Sequence, residues 1–224
     1  CIVDGDTIAN RKRPILLTGA HRSGTSWVGK ILEAAGGFGY IHEPFSNTFP
    51  GWMAPRLPHT FQYLSDEHAA AYGPAVDRVF TMRYPALQQL PGLRRWRSLG
   101  RLAWDWSTSL AYRARGLRPL VVDPLALFSA GWLADRYDAH VIVMIRHPAA
   151  FVECLKRLGW TFDFRHFREQ DRLMQEVFAD FAGEIDAAAQ RPPDIIAQGA
   201  LLWKAIYTAV DRYRRQRPSW TFLT

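Results

Sequence analysis

Pro14-Ile15-Leu16-Leu17-Thr18-Gly19-Ala20-His21-Arg22-Ser23-Gly24-Thr25-Ser26-Trp27-Val28-Gly29-Lys30-Ile31-Leu32 is the stretch that decides how this chain folds. Ile15 to Thr18 is a short apolar run closed by a glycine, the pattern of a buried parallel strand. Gly19 and Gly24 then bracket a loop of the length that cradles a phosphate, with backbone N–H groups and a helix N-terminus facing the anion. A nucleotide-triphosphate loop of the G-x-x-x-x-G-K-[ST] kind needs a lysine directly after the second glycine. Thr25 stands there instead, and the cation is Arg22, two residues before that glycine. The stretch predicts a loop that binds phosphate without being an ATPase loop.

Working outward, Trp27, Val28, Ile31, Leu32 and Ala35 recur at helical spacing until Gly36-Gly37 ends the helix. Phe38 to His42 reads as a second strand. Strand, helix and strand in so short a span make a βαβ unit, so the sheet should be parallel. Residues 46–91 are rich in proline and aromatics and predict loops and short helices covering a site. Residues 92–115 predict a helix with Leu93, Trp96, Leu99, Ala103, Trp106 and Leu110 on one stripe, flanked by arginines. Leu120 to Pro124 is a third strand ending in a turn, Ala126 to Tyr137 a helix, and Val141 to Ile145 the plainest buried strand. Further helices are expected over 149–158, 167–189 and 194–215, with Leu173, Val177, Phe181 and Ile185 inward on the second of these. Trp220 to Leu223 begins a last strand. The expected fold is α/β: one domain over 1–224, a three-layer P-loop NTPase-like architecture with a central parallel sheet flanked by helices. Residues 46–118 are its expected acceptor-side insert.

Composition narrows the class without naming the ligand. The 224 residues suffice for one core, and 48% hydrophobic with 22% charged residues is ordinary for a globular chain. No apolar run approaches the roughly 20 residues of a membrane span, and the first residues are neither basic nor apolar enough for a signal peptide. Two cysteines, Cys1 and Cys154, make no disulfide framework and suit a reducing compartment. A cytoplasmic location is therefore expected, with both chain ends left open, since no methionine begins the sequence. The net charge of +7 invites an anionic partner. The seven scattered histidines show no metal-ligand spacing.

Arg22-Ser23-Gly24-Thr25-Ser26-Trp27, between a strand and a helix, resembles the 5′-phosphosulfate loop of the sulfotransferase family. Arg146-His147-Pro148, followed eight residues after the arginine by Cys154, is similar to that family's second motif, in which an arginine and a serine grip the donor's 3′-phosphate. Cys154 departs from the pattern, and a thiol is a weaker hydrogen-bond donor than a hydroxyl. The resemblance implies 3′-phosphoadenosine 5′-phosphosulfate as donor and adenosine 3′,5′-bisphosphate as product. It also implies no metal, and a hydroxyl- or amine-bearing acceptor such as a glycan, a glycolipid or a small molecule.

Arg22 is then expected to neutralise the departing phosphate oxygen, with Ser23, Gly24, Thr25 and Ser26 on the 5′-phosphate. Trp27 is either core or an adenine platform. For the general base, the glycan- and protein-modifying branches have a glutamate soon after the second strand, where Glu43 falls; Asp123 is the second candidate. His42 is expected to face away from Glu43 as its strand neighbour. Two other readings stand beside this one: a P-loop small-molecule or nucleoside kinase, which lacks the loop lysine, and a basic nucleic-acid-binding module, motivated by charge. The basic helix over 92–115 is either a solvated face or a surface for an anionic acceptor or a lipid headgroup.

Overall fold

A computed structural model describes residues 13–46, 51–90 and 96–224; the lead-in before Arg13 and Leu93 of the predicted stripe lie outside them. The elements in order are β1 (Ile15–Gly19), α1 (Thr25–Ala34), β2 (Phe38–His42), α2 (Ala69–Phe80), α3 (Ala86–Gln89) and α4 (Trp96–Ala114). They continue with β3 (Arg118–Val122), a 3-10 turn Pro124–Ser129, α5 (Ala130–Tyr137), β4 (His140–Met144) and α6 (Pro148–Leu158). The last are α7 (Arg165–Arg168), α8 (Asp171–Glu176), α9 (Ala182–Gln190), α10 (Ile195–Gln216) and β5 (Thr221–Leu223).

The five strands pair in parallel in the order β2-β3-β1-β4-β5. Leu17 sits between Val122 of β3 and Ile142 of β4. The order brings the carboxyl ends of β3 and β4 to either side of the loop after β1, the place where open α/β sheets bind ligands. Alternation along the strands makes the layers. Ile15, Leu17, Leu120, Val122, Ile142 and Met144 pack under Val28 and Leu32 of α1. Leu16, Val121, Val141 and Val143 face a larger core with Val76, Leu133, Phe151 and Ile206 of α2, α5, α6 and α10. Helices thus cover both faces, and apolar runs without polar alternation are what such strands require. Gly19 has φ 140, and a Cβ there would lie 2.4 Å from the Met144 carbonyl oxygen, so only glycine lets β1 leave the sheet against β4.

Two helical expectations are corrected. The single helix read over 167–189 is broken into α7, α8, a 3-10 turn at Ala179–Phe181, and α9. Gln170 causes one break: at φ −115 and ψ 84 it leaves the helix, and its buried amide oxygen accepts the Tyr63 N–H at 2.7 Å. Satisfying that buried polar chain costs a helical turn. Of the apolar stripe read over 92–115, Leu99, Ala103, Trp106 and Leu110 do lie on one face of α4, but Leu99, Trp106 and Leu110 are exposed, whereas Leu102 and Ser109 are buried. Helical spacing fixes which residues share a face and leaves open which face meets the core.

Candidate active site

The loop after β1 is built to leave donors free. Arg22 sits at φ 63, a left-handed conformation uncommon outside glycine, and Gly24 at φ 95 caps α1 without a side chain. The Ser23 N–H and hydroxyl both donate to the Ala20 carbonyl, which closes the turn. Ser23, expected on the phosphate, is therefore committed to the loop itself. Val28 N–H makes the bond back to Gly24, so the preceding N–H groups at the helix start have no intrahelical acceptor.

A cavity of about 590 Å³ opens in front of them. Arg22, Gly24, Thr25, Ser26, Trp27, Glu43, Arg146 and Cys154, eight of the ten residues singled out from the sequence, lie on its wall. Ser23 and Asp123 are the exceptions. Trp27 is 71% exposed, so of its two sequence readings the structure excludes the core.

Arg146 is fixed before it meets any ligand. Its N–H donates to the Tyr207 hydroxyl, its carbonyl accepts from Trp203 Nε1 at 3.1 Å, and its Nη1 donates to the Arg22 carbonyl. The two motifs are thereby tied directly to each other, with α10 as anchor. Cys154, buried on α6, faces the same cavity. Burial pushes its thiol up, but hydrogen bonding and charge from Arg22, with Arg146 and Arg157 nearby, outweigh this and hold it below the usual thiol range.

The two candidate bases separate. Glu43 leaves β2 at φ 42, with its N–H on the Val122 carbonyl at 2.8 Å and its side chain on the cavity wall. That left-handed turn cancels strand alternation: His42 Nε2 comes within 3.9 Å of the Glu43 carboxylate instead of facing away. Asp123 has no exposed surface, and its carboxylate accepts the Phe45 N–H at 2.6 Å and the Leu125 N–H at 2.8 Å. Burial, against those hydrogen bonds, pushes its pKa up to about 7. The Phe45 bond makes it the clamp on the turn that carries Glu43.

Sequence reasoning passed over His21, Arg157 and Trp160, all on the same wall. Arg157 was within reach, since it lies three residues after Cys154 on one helix face. His21 is wedged among Phe61, Phe151 and Trp160, with centroid distances of 5.8, 5.0 and 6.0 Å. Burial and then Arg22 lower its pKa to about 4, so it is neutral at pH 7, and its buried Nδ1 has no partner. No sequence signal brings Phe61 or Trp160 to that ring. Among the described residues no three His, Cys, Asp or Glu side chains come together as a metal site.

The model of the sulfotransferase family matches residues 14–198, a span holding both motifs, Glu43 and Asp123. The chain belongs to the sulfotransferase family. It is a transferase of the kind that moves sulfonyl groups, and of the three readings weighed from the sequence this is the one that membership supports. A solved structure, sulfotransferase STF1 from Mycobacterium tuberculosis H37Rv, is similar at 18% identity over 93% of this chain and 70% of that one, with a TM-score of 0.28. No curated protein matches the chain. No helix among the described residues is long and apolar enough to cross a membrane.

Proposed function

We propose that this sulfotransferase moves a sulfonate from 3′-phosphoadenosine 5′-phosphosulfate to a hydroxyl of a glycan, a glycolipid or a small molecule, as a cytoplasmic enzyme without a nucleic-acid partner. The observation that carries the reading is the convergence of Arg22 and Arg146, from separate motifs, on one cavity beside the free N–H groups of α1. A donor with two phosphate groups needs two cationic ends, and planar guanidinium forks suit tetrahedral anions.

In this reading the N–H groups of Gly24 to Trp27 and the Thr25 and Ser26 hydroxyls hold the 5′-phosphate, and Arg146 with Cys154 takes the 3′-phosphate. The acceptor oxygen forms a bond to sulfur as the bond from sulfur to the 5′-phosphate oxygen breaks. Arg22 neutralises the charge arriving on that oxygen, and Glu43 takes the acceptor's proton. Asp123 serves indirectly, by holding the Glu43 turn. The test is a thermal-shift titration. Adenosine 3′,5′-bisphosphate should raise Tm with or without magnesium, because a ligand of the native state stabilises it by mass action. A shift with ATP and magnesium but none with the bisphosphate would refute the assignment.

A further inference from the structure

A second cavity of about 520 Å³ meets the donor chamber at Ser26 and Glu43, which line both. One wall is α4, through Trp104, Asp105 and Tyr112; the other comes from Tyr40 of β2 and from Trp52. With the donor seated along the two arginines, this cavity reaches Glu43 from the other side.

Its chemistry is selective. Its cations are matched by acids: Lys30 Nζ lies 2.7 Å from Glu33 and Arg101 Nε 3.7 Å from Asp105, and Glu43 adds a third carboxylate to the wall. Among the described residues of its lining a polyanion finds no surplus positive charge, although the chain as a whole carries +7. A wholly apolar acceptor would strip water from Glu33, Glu43, Asp105 and the Tyr40 hydroxyl and offer no hydrogen bond in its place, a desolvation cost that a hydroxyl-rich ligand avoids. Trp104 is 71% exposed and holds its ring at this cavity, while Trp52 is braced edge-on against Tyr84 at 5.2 Å. Aromatic faces with interspersed hydrogen-bonding groups fit a ligand that has both C–H faces and many hydroxyls.

We infer that this cavity seats a neutral carbohydrate acceptor, with a sugar ring on Trp104 and the reacting hydroxyl at Glu43. The inference rests on the sulfotransferase reading above and names its acceptor class. The sugar oxygen forms the new bond to sulfur, its proton goes to the Glu43 carboxylate, and the bond electrons leave with the 5′-phosphate oxygen.

The test uses the full chain and radiolabelled donor, after bisphosphate binding has been confirmed by thermal shift. Acceptors are offered separately: neutral oligosaccharides of glucose, galactose and N-acetylglucosamine, then 4-nitrophenol, then chondroitin. Label should enter a neutral oligosaccharide. Trp104→Ala should raise the KM for that sugar about tenfold with kcat nearly unchanged, and Trp104→Phe should recover most of the loss. An exposed ring can be truncated without unfolding the core. Label confined to the phenol or the polyanion, or an unchanged KM in Trp104→Ala, overturns the acceptor assignment while the donor chemistry stands. Failure to bind the bisphosphate overturns the donor chemistry itself.

Discussion

Arg146→Ala offers a measurable separation of two roles for one guanidinium. The backbone at this position is held by the Tyr207 hydroxyl and by Trp203 Nε1, neither of which depends on the side chain. The segment should therefore keep its place when the side chain is truncated. Two interactions go: the proposed grip on the donor's 3′-phosphate, and the tie from Nη1 to the Arg22 carbonyl. A charge-assisted contact to an anion is worth about 1.5–3 kcal/mol, or roughly 10- to 150-fold in Kd. The tie to the loop is worth about 1 kcal/mol and would be felt by every ligand with a 5′-phosphate. Calorimetric titration of both proteins with adenosine 3′,5′-bisphosphate and with AMP closes a thermodynamic cycle. AMP should weaken by about fivefold, and the bisphosphate by at least about tenfold more than AMP. Turnover at saturating donor should change little, because the 3′-phosphate is remote from the transferred group. Equal losses for the two ligands would show that Arg146 acts on the loop alone, and the 3′-phosphate assignment would be refuted.

Glu43→Gln keeps the side chain's shape but removes the proton acceptor. Turnover should drop by roughly 10²–10⁴ while calorimetry finds bisphosphate affinity unchanged; retained turnover would remove Glu43 from the chemistry. Asp123, with its pKa held near 7 by burial, binds its proton more tightly folded than unfolded. Its contribution is therefore intact at acid pH and declines as pH rises from the ordinary carboxylate range through 7, by about 2–3 kcal/mol between pH 5 and 8. Denaturant titrations of wild type and Asp123→Asn should accordingly show a stability difference that moves in the variant's favour over that interval, and a flat difference would contradict the buried-acid account. Cys154, buried among Arg22, Arg146 and Arg157, should be alkylated by iodoacetamide and protected by the bisphosphate, as read by peptide mass mapping. Cys154→Ser should bind the bisphosphate as well as wild type or slightly more tightly; unfolding of that variant would make the position a packing site.

What was legible in the sequence is what depends on neighbours along the chain. Ile15 to Thr18, the glycines around Arg22 and the helical spacing after Thr25 specify strand, loop and helix by local sterics and periodicity alone, and a parallel sheet follows from the βαβ unit. The arginine that opens the second motif is likewise visible by its place after a buried strand. Side-chain direction at a break in regular structure was not. Glu43 turns inward at a left-handed residue, where alternation along β2 no longer applies. Which face of α4 meets the core depends on what packs against it, and the outward stripe of Leu99, Trp106 and Leu110 could not be told from an inward one. Gln170 breaks a helix because Tyr63, more than a hundred residues earlier, offers its N–H. The positions of Asp123 and Arg146 are fixed the same way, by the Phe45 N–H in one case and by Tyr207 and Trp203 in the other. Periodicity and loop chemistry are local free energies and can be read in order. Hydrogen bonds and charge pairing across the sheet's edge exist only once distant segments meet, and it is there that the tertiary structure buried Asp123 under the Phe45 and Leu125 N–H groups and left Glu43 on the cavity wall.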